Sequence, residues 1–367
     1  MQPYSSFLDW LDHQKKHMQD TLKDWVNINS HALNYEGLKE QIEALKKAFS
    51  PLEGTMEELA LDPMPRVDEK GNLVKTPLGK ALHITKRKNA PIQIFLGGHM
   101  DTVYPKNSPF QRIEEKENNV WVGPGIADMK GGLVIMLFAL QALEKSPYAN
   151  QIGWEVLINP DEEIGSPGAH SLLEACAKKN HLGLLFEPSH VDGALVSKRS
   201  GTMNLVIVVR GKAAHAGRDF HEGISALYAI CPFLLELESL SEKEEDGVTV
   251  NVGQLNSGIG FNIVPDLAIA KINVRAPSLE KLKAVRNAID ALVKKHGQKA
   301  GITMTLEVLT IRPPKEFDEK TKNIFDWVQT CGDLLNMKIE HKPSRGGTDG
   351  SILHAAGLAN IDALGVM

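Results

Sequence analysis

The chain has 367 residues, which is long enough for two domains, each with its own core. Hydrophobic residues make up 42% and charged residues 24%, as in an ordinary soluble globular protein. The formal net charge of -5 argues against nucleic-acid and anionic-membrane partners, because both favour a basic surface. The three cysteines lie far apart, which argues against a disulfide framework and favours a reducing, cytoplasmic location. We find neither a signal peptide nor an apolar run of about 18 residues, so no membrane partner is expected.

The first half of the chain predicts an α/β domain. Residues 1–50 carry apolar side chains at helical spacing and predict two amphipathic helices. Beyond residue 55, strands are predicted at 91–96, 154–159 and 181–186, and a buried helix at 132–143. Strands that alternate with helices indicate a layered α/β architecture with a largely parallel sheet.

The pattern changes near residue 200. Here the predicted order is strand, helix, strand, strand, helix, strand, over 203–210, 224–240, 248–255, 267–275, 279–295 and 302–310. This is the β-α-β-β-α-β order of the ferredoxin-like motif. We therefore predict an inserted domain at 199–308, within a discontinuous domain formed by residues 1–198 and 309–367. A further helix is expected at 321–335, ahead of a Gly-rich turn at 345–350.

His99 comes shortly after the predicted strand at 91–96. Ligands of open α/β sheets bind at the carboxyl ends of strands, so this position suits a metal ligand. Asp101, two residues on, can accept the second N–H of the imidazole and so fix the tautomer that binds metal. Taken alone, a turn that holds a hydrogen-bonded histidine is the simpler interpretation.

Asp128 lies in a glycine-rich segment, residues 123–132, that leads into the buried helix. The glycines allow the backbone, and with it the Asp128 carboxylate, to approach a ligand closely. The spacing of Lys130 does not match a phosphate-binding P-loop. An aspartate ahead of a helix is also a common N-cap, and this alternative stays open.

Carboxylates follow the next two strands as well. Three consecutive acidic residues, 161–163, come directly after the strand at 154–159, and Glu187 follows the strand at 181–186. Adjacent carboxylates repel one another unless a cation offsets their charge. A surface acidic cluster is the alternative, but nitrogen and oxygen ligands at successive strand ends of one sheet are hard to explain without a metal ion.

Taken together, these segments resemble the M20 metallopeptidases, and within them the glutamate carboxypeptidase (carboxypeptidase G2-like) branch. The matching stretches lie in family order between residue 97 and about residue 351: GGHMDTVYP, GPGIADMKGG, NPDEEIGSPG, FEP, SGTMNLVIVVRGKAAHAG, NIVPDLAIAKINVR and RGGTDGS. The resemblance implies a three-layer catalytic domain of the zinc-exopeptidase type. It also implies that the inserted ferredoxin-like domain serves as a lid and as the dimerisation unit.

The resemblance further implies a dinuclear zinc centre, for which Co²⁺ is an alternative metal. The protein ligands implied are His99, Asp128, Glu163 and Glu187. Asp128 would bridge both ions and precede a cis peptide bond. Glu162 would be the general acid/base, because it can take a proton from water and pass it to the leaving amine. Asp101 would orient His99.

The implied substrate is a small peptide or an N-acyl amino acid with a free carboxylate beside the scissile bond. Arg275 and Asn262, with the backbone near Gly347 and Thr348, would hold that carboxylate. His215 would enter the active site of a partner subunit and stabilise the oxyanion by about 3 kcal/mol, which requires a homodimer. From the residues alone, Arg275 could also form a surface ion pair, and His215 could be a packed turn residue.

The family's fifth metal ligand is a histidine that follows a segment like residues 359–365. His354 lies before that segment and does not match it. We expect a longer parent protein to supply this histidine shortly beyond Met367. The expected function is thus a zinc-dependent hydrolase of peptide or amide bonds, most like a glutamate carboxypeptidase. The alternatives are an N-acyl-amino-acid deacylase for acetyl or succinyl groups, and a catalytically silent dimerising relative.

Overall fold

The structure is a computed structural model that describes residues 5–117 and 120–367, with side chains from residue 8 onward. The α-helices are α1 (Ser5–Asp12), α2 (Lys15–Val26), α3 (Tyr35–Phe49), α4 (Gly131–Glu144), α5 (His170–Ala177), α6 (Ala226–Glu238), α7 (Leu279–His296), α8 (Glu319–Leu334) and α9 (Asp349–Ala355). The β-strands are β1 (Thr55–Leu59), β2 (Met64–Val67), β3 (Leu73–Thr76), β4 (Ala81–Lys86), β5 (Ile92–His99), β6 (Glu114–Glu115), β7 (Trp121–Val122), β8 (Ile152–Asn159), β9 (Leu182–Leu185), β10 (Leu195–Arg199), β11 (Gly201–Arg210), β12 (Thr249–Ser257), β13 (Leu267–Ala276), β14 (Thr303–Arg312), β15 (His341–Ser344) and β16 (Asn360–Ile361).

A six-stranded mixed sheet, the central sheet, carries the strand ends singled out above. Its order is β1-β4-β8-β5-β9-β16, and β5 pairs in parallel with both β8 and β9. Strands β1 and β4 add antiparallel pairings at one edge. Because β5, β8 and β9 are parallel neighbours, their carboxyl ends meet at the same edge of the sheet.

Helices cover both faces of the central sheet. Val156 and Ile158 of β8 lie in the core with α3 and α4, whereas Leu157, between them, lies in the core with α5 and α9. This alternation is what a strand buried on both faces requires, since successive side chains point to opposite sides. The predicted three-layer α/β/α architecture is confirmed.

Helix α4 is apolar almost all round. The 19-residue segment Ile126–Glu144, which includes it, is long and apolar enough to cross a membrane, with a mean hydropathy of 1.6 and 61% burial. The segment contains Asp128, Lys130 and Gln141, so it meets a criterion of mean hydropathy without being an uninterrupted apolar run of about 18 residues. Leu133 and Met136 are fully buried in the core that α4 shares with the central sheet, and Phe138 is fully buried against Trp10 of α1 and His17 of α2, as in the core helix of a layered fold.

The inserted domain has the predicted ferredoxin-like element order. Its elements follow as β11, α6, β12, β13, α7 and β14, and its antiparallel sheet has the order β12-β13-β11-β14. Leu205 and Ile207 of β11 are buried under α6 and α7. Thr202 and Asn204, which alternate with them, lie on the opposite face and line clefts against the central domain. We call this sheet the lid sheet.

Two features differ from the sequence expectation. Residues 5–49 form three helices rather than two, because the chain turns between α1 and α2, and residues 1–4 lie outside the described part of the chain. The central sheet is also less parallel than expected, since β1 and β4 pair antiparallel. Strand β1 is mostly exposed, so its apolar signal is weak.

Candidate metal and substrate site

The four predicted metal ligands come from different elements around one edge of the central sheet. His99 is the last residue of β5, Glu187 follows β9, and Glu163 lies in a short turn after β8. Asp128 precedes α4, and its peptide bond to Met129 is cis, as expected from the family resemblance. The parallel order of these strands thus brings the four side chains together.

His99 is fully buried, and its two ring nitrogens face different partners. Nδ1 lies 3.0 Å from the backbone carbonyl oxygen of Asp101, to which it donates. Nε2 lies 3.0 Å from Oδ1 of Asp128 and 3.9 Å from Oε2 of Glu187. Ligating atoms lie within 4.8 Å of one another in two sets, His99 with Asp128 and Glu163, and His99 with Glu162 and Glu187. One imidazole is therefore shared by two groups of carboxylates.

Asp101 contacts His99 and also the turn Glu162–Ile164 that follows β8, which we call the acidic turn. Its buried carboxylate has Oδ1 3.3 Å from Nδ1 of His99. The same carboxylate accepts the backbone N–H of Glu162 at 3.2 Å and that of Glu163 at 3.0 Å. Asp101 therefore fixes the backbone that carries two more carboxylates, in addition to touching the histidine that it was predicted to orient.

Burial makes the carboxylates of this site hard to ionise unless a cation offsets their charge. It raises the pKa of Glu163 to about 8 and the pKa of Glu162 to about 7. It also raises the pKa of Glu187 well above its ordinary value. Burial disfavours the charged form of His99 too, but the side-chain hydrogen bonds of this ring raise its pKa well above the ordinary value. Imidazole and carboxylates gathered in this way are a donor set that suits zinc.

Arg312, the last residue of β14, belongs to the site although the sequence did not indicate it. Its buried guanidinium lies 2.8 Å from Oε1 of Glu162, and it donates to the Glu162 carbonyl at 2.7 Å and to Oγ of Ser166 at 2.9 Å. Burial opposes its charge, but Glu162 and Asp349 raise the pKa of Arg312. In the sequence this arginine stands before two prolines, which mark only the end of the inserted domain.

A polar cleft of about 310 Å³ opens beside the ligand cluster, and we call it the polar cleft. Its lining includes Glu162 and Glu163 from the central domain, Arg275 and Arg312 from the lid sheet, and Gly347 from the Gly-rich turn. The carboxylate-rich side and the guanidinium side therefore share one space.

The guanidinium of Arg275 is held in the polar cleft by two acceptors. Nε donates to Oδ1 of Asn273 at 3.2 Å, and Nη1 donates to the carbonyl oxygen of Arg345 at 2.7 Å. Burial lowers the pKa of Arg275, and the nearby charges of Arg345 and Arg312 lower it further. Cations that repel one another in this way favour an anionic ligand, and a carboxylate matches the planar fork.

Comparisons with known proteins agree with this geometry. Residues 95–367 match the profile described as Peptidase family M20/M25/M40. The chain belongs to this family. The family predicted from the sequence is thereby confirmed.

Two sequence relatives of this M20 chain are carboxypeptidases by name. Carboxypeptidase G2 from Pseudomonas sp. (strain RS-16) is 29% identical over 280 residues, which are 74% of this chain and 66% of that protein. A probable carboxypeptidase from Aspergillus niger is 32% identical over 202 residues, which are 50% of this chain and 47% of that protein. The M20 chain thus spans less than two-thirds of the length of these curated relatives.

A solved structure gives the same fold. The M20 family metallo-carboxypeptidase Sso-CP2 from Sulfolobus solfataricus has a TM-score of 0.70 to this chain at 18% sequence identity. The alignment covers 95% of this M20 chain and 91% of that one. This likeness shows that the two chains share a fold.

Other predicted site residues of the M20 chain are dispersed. Gly347 lines the polar cleft, whereas Thr348 does not and instead donates its hydroxyl to Oδ2 of Asp362 at 2.8 Å. His354, which the sequence excluded as a ligand, is half-buried near Asp318 and belongs to none of the ligand sets described above.

His215 and Asn262 lie together on the inserted domain, joined by the hydrogen bond from the Ala216 N–H to the Asn262 carbonyl at 2.9 Å. Neither lines the polar cleft of its own chain. Nδ1 of His215 accepts the backbone N–H groups of Gly217 and Arg218, each at 3.1 Å. In the neutral ring Nε2 therefore carries the proton and is a hydrogen-bond donor. The role predicted for these two residues needs a second subunit and stays a prediction.

Proposed function

We propose that the protein is a metal-dependent hydrolase that cleaves an amide or peptide bond next to a free carboxylate, as a carboxypeptidase does. The observation that carries the proposal is that Glu162, Glu163 and Arg275 line one cleft. A proton-transferring carboxyl group, metal-ligating carboxylates and a cation for the substrate's carboxylate are the parts that this reaction needs. The names of the two sequence relatives support the same class.

Two zinc ions are the proposed cofactor, with Co²⁺ as an alternative metal. His99, Asp128, Glu163 and Glu187 would hold them, since imidazole nitrogen and carboxylate oxygen are common zinc ligands. The raised pKa values of Glu163 and Glu187 support a cation among these groups, because a positive charge stabilises the ionised carboxylates. When bound, the ions polarise the scissile carbonyl and make water more acidic.

Glu162 is proposed as the group that moves the proton. Burial raises its pKa to about 7, although Arg312 acts to lower it. A carboxyl group with a pKa near the working pH can take the proton of the attacking water and pass it to the leaving amine. Arg312 lies 2.8 Å from the carboxylate of Glu162 and donates to its backbone carbonyl, which favours one position of that side chain.

A homodimer formed through the inserted domain is part of the proposal, because His215 and Asn262 do not line the polar cleft of their own chain. Ile259 and Phe261, on the loop that leads to Asn262, are 89% and 110% exposed and stand two residues apart. Exposed apolar groups that cluster favour a protein interface. Across that interface, Nε2 of His215 would donate to the oxyanion in the neighbouring subunit.

The substitution Glu162→Gln tests the proposal, with Glu174→Gln on the exposed side of α5 as the matched control. Wild type is expected to bind about two zinc ions per chain and to hydrolyse members of a panel of N-acyl amino acids and dipeptides. Glu162→Gln should keep its zinc and lose roughly 10²-fold to 10⁴-fold in kcat, whereas Glu174→Gln should keep both. Zinc is measured by plasma mass spectrometry. Wild type that binds no zinc and cleaves no member of the panel would overturn the proposal.

A further inference from the structure

A second cavity, of about 360 Å³, lies beyond the polar cleft, between the β2–β3 hairpin and the lid sheet. We call it the apolar cavity. Its walls include Met64 and Val67 of the hairpin, Val206 and Leu309 of the lid sheet, and Ile164 of the acidic turn. Val67 and Val206 are buried in one small hydrophobic cluster against which Leu309 packs. The charged lining residues, Arg66 and Lys271, are both exposed.

The apolar cavity adjoins the polar cleft. Asn204 and Asn273 line both spaces. On the central-domain side, Ile164 lines the apolar cavity, while its neighbours Glu163 and Gly165 line the polar cleft. On this side, consecutive residues of the chain line the two spaces, so a ligand in the polar cleft lies directly beside the apolar cavity.

The side chains on one face of β11 become more apolar along this path. Thr202 on β11 stands opposite Arg275 on one side and Arg312 on the other. Two residues further along β11, on the same face, comes Asn204, and two further again comes the apolar Val206. On β11 itself this face therefore changes from a hydroxyl to an amide to a hydrocarbon side chain, and the residues opposite Val206 on the neighbouring strands are Lys271 and Glu307.

Hydrogen bonds fix the orientation of the side-chain amides of Asn204 and Asn273, which we call the amide row. Nδ2 of Asn273 donates to Oδ1 of Asn204 at 2.8 Å, and Nδ2 of Asn204 donates to Oγ1 of Thr310 at 2.9 Å. At the other end, Oδ1 of Asn273 accepts from Nε of Arg275 at 3.2 Å. Since each amide is held by its neighbours, the row forms a fixed polar border between the two spaces.

We propose that the apolar cavity is a specificity subsite that binds an apolar group of the substrate whose carboxylate Arg275 holds. This inference rests on the proposed function and narrows its substrate class to amphipathic N-acyl amino acids or peptides. The group is either an apolar acyl chain or the apolar side chain of the amino acid, because both start within a few bonds of the carboxylate. A volume of about 360 Å³ lies at the lower end of the range for small-molecule sites. Each methylene buried there should raise affinity about fourfold.

Met64→Trp fills the apolar cavity from the hairpin side, at a half-buried position outside the proposed catalytic and carboxylate-binding groups. Met337→Trp is the matched control, since Met337 is 57% exposed and does not line the apolar cavity. Met64→Ala enlarges the same wall and gives the opposite change. Thermal denaturation of each variant checks that the fold is retained.

Dissociation constants are measured with N-alkylsulfonyl amino acids, which carry the carboxylate and the apolar group but no hydrolysable carbonyl. One arm lengthens the alkyl group from methyl to octyl on glutamate, and the other keeps methyl and changes the amino acid from alanine to leucine to phenylalanine. Hydrolysis of the matching N-acyl compounds is followed in parallel. The arm in which Met64→Trp removes the gain in affinity identifies the source of the apolar group.

In one of the two series, wild type and Met337→Trp are expected to bind the compound with the largest apolar group at least 10-fold more tightly than the compound with the smallest. Met64→Trp should show no such gain in affinity. Met64→Ala should extend the gain to larger apolar groups. Affinity that does not depend on apolar size in either arm, or a gain that Met64→Trp leaves unchanged, would overturn the subsite even if hydrolysis is observed. Size-dependent binding that Met64→Trp removes, with no hydrolysis by wild type, would support the subsite and sink the proposed function instead.

Discussion

Glu162 and Arg312 form a buried ion pair in which Oε1 lies 2.8 Å from Nη2. Burial raises the pKa of Glu162 to about 7, and Arg312 is the largest influence that lowers it. The arginine thus works against the loss of charge that burial causes. The residue proposed to move the proton owes part of its charge at neutral pH to a strand of the other domain.

Replacing this arginine should therefore shift the pH dependence of catalysis. In Arg312→Gln the pKa of Glu162 is expected to rise above about 7, so the acid limb of the kcat/KM profile moves to higher pH. At pH 7 we expect a loss of about 10-fold to 100-fold, partly recovered at pH 9, because one pKa unit corresponds to a tenfold change in the ionised fraction. The pH–rate profile measures this directly.

Arg210→Gln is the control for that experiment. Arg210 lies on β11 of the same sheet and is exposed, where it donates to the carbonyl oxygen of Lys70 at 2.8 Å. Its replacement should leave the profile in place. An equal loss of activity at every pH in Arg312→Gln would mean that the arginine acts on the fold and not on the charge of Glu162.

Three of the four proposed metal ligands could be predicted to lie together, because each stands at a boundary that the hydrophobic pattern shows. His99 ends one apolar run, and Glu163 and Glu187 follow two others. The parallel order of β5, β8 and β9 then brings them together. Arg312 had no such signal, because it lies 150 residues from Glu162 and pairs with it only after the inserted domain has folded back.

The apolar cavity was also out of reach of the sequence. Asn204 and Asn273 stand in mostly apolar strands, and their row depends on the register between β11 and β13. The hairpin that closes the cavity is formed by β2 and β3, which have only four residues each. Strands this short carry too few apolar positions to indicate what they cover.

Arg275→Lys tests whether a planar cation is needed for the substrate's carboxylate. Lysine keeps the charge but cannot donate in parallel from two nitrogens, and it loses the contacts to Asn273 and Arg345. We expect KM to rise about 10-fold with kcat changed by less than about threefold, since the lost contact is present before and during the reaction. Arg286→Lys, on the outer helix α7, should change neither constant. A fall in kcat with KM unchanged would contradict a substrate-binding role.

Gly132→Ala tests how Glu187 is positioned. A Cβ at Gly132, in the first turn of α4, would lie only 1.8 Å from the carbonyl oxygen of Phe186, the residue before Glu187. The helix or the strand end must then move, and we expect a loss of at least about 2 kcal/mol in unfolding free energy together with weaker zinc binding. A Cβ at Gly260 would have its nearest neighbour 3.7 Å away, so Gly260→Ala is the control. Unchanged zinc affinity in Gly132→Ala would show that this close approach does not position the ligand.

Lys315 gives a prediction about stability alone. It is fully buried, and Nζ has no hydrogen-bond partner within the described part of the chain. Burial lowers the pKa of Lys315 from 10.5 to about 8. Because the folded pKa lies below the unfolded one, the unfolding free energy of wild type should increase as pH rises from about 8 to 10.5.

Methionine has nearly the shape of lysine without the charge, so Lys315→Met is expected to be about 1 kcal/mol more stable than wild type at pH 7. The difference should shrink towards pH 10, where wild type has lost the buried charge. Urea denaturation at several pH values measures it, and Lys338→Met, at a side chain that is 85% exposed, is the control. A variant that is less stable at pH 7 would mean that the Lys315 charge is needed beside Asp362.

Removing the metal should make stability depend on pH in a defined direction. In the metal-free protein, burial raises the pKa of Glu163 from 4.5 to about 8 and that of Glu162 from 4.5 to about 7. Between these values the folded state binds more protons than the unfolded chain, so the unfolding free energy of the metal-free protein falls as pH rises from 4.5 to 8. Zinc binds the ionised carboxylates, and its stabilising effect should therefore grow over the same range.

Melting temperatures in EDTA and in excess zinc, from pH 5 to 8, should diverge by several degrees. Glu163→Gln should narrow that divergence, and a gap between the two curves that stays constant with pH would rule out zinc binding by these carboxylates.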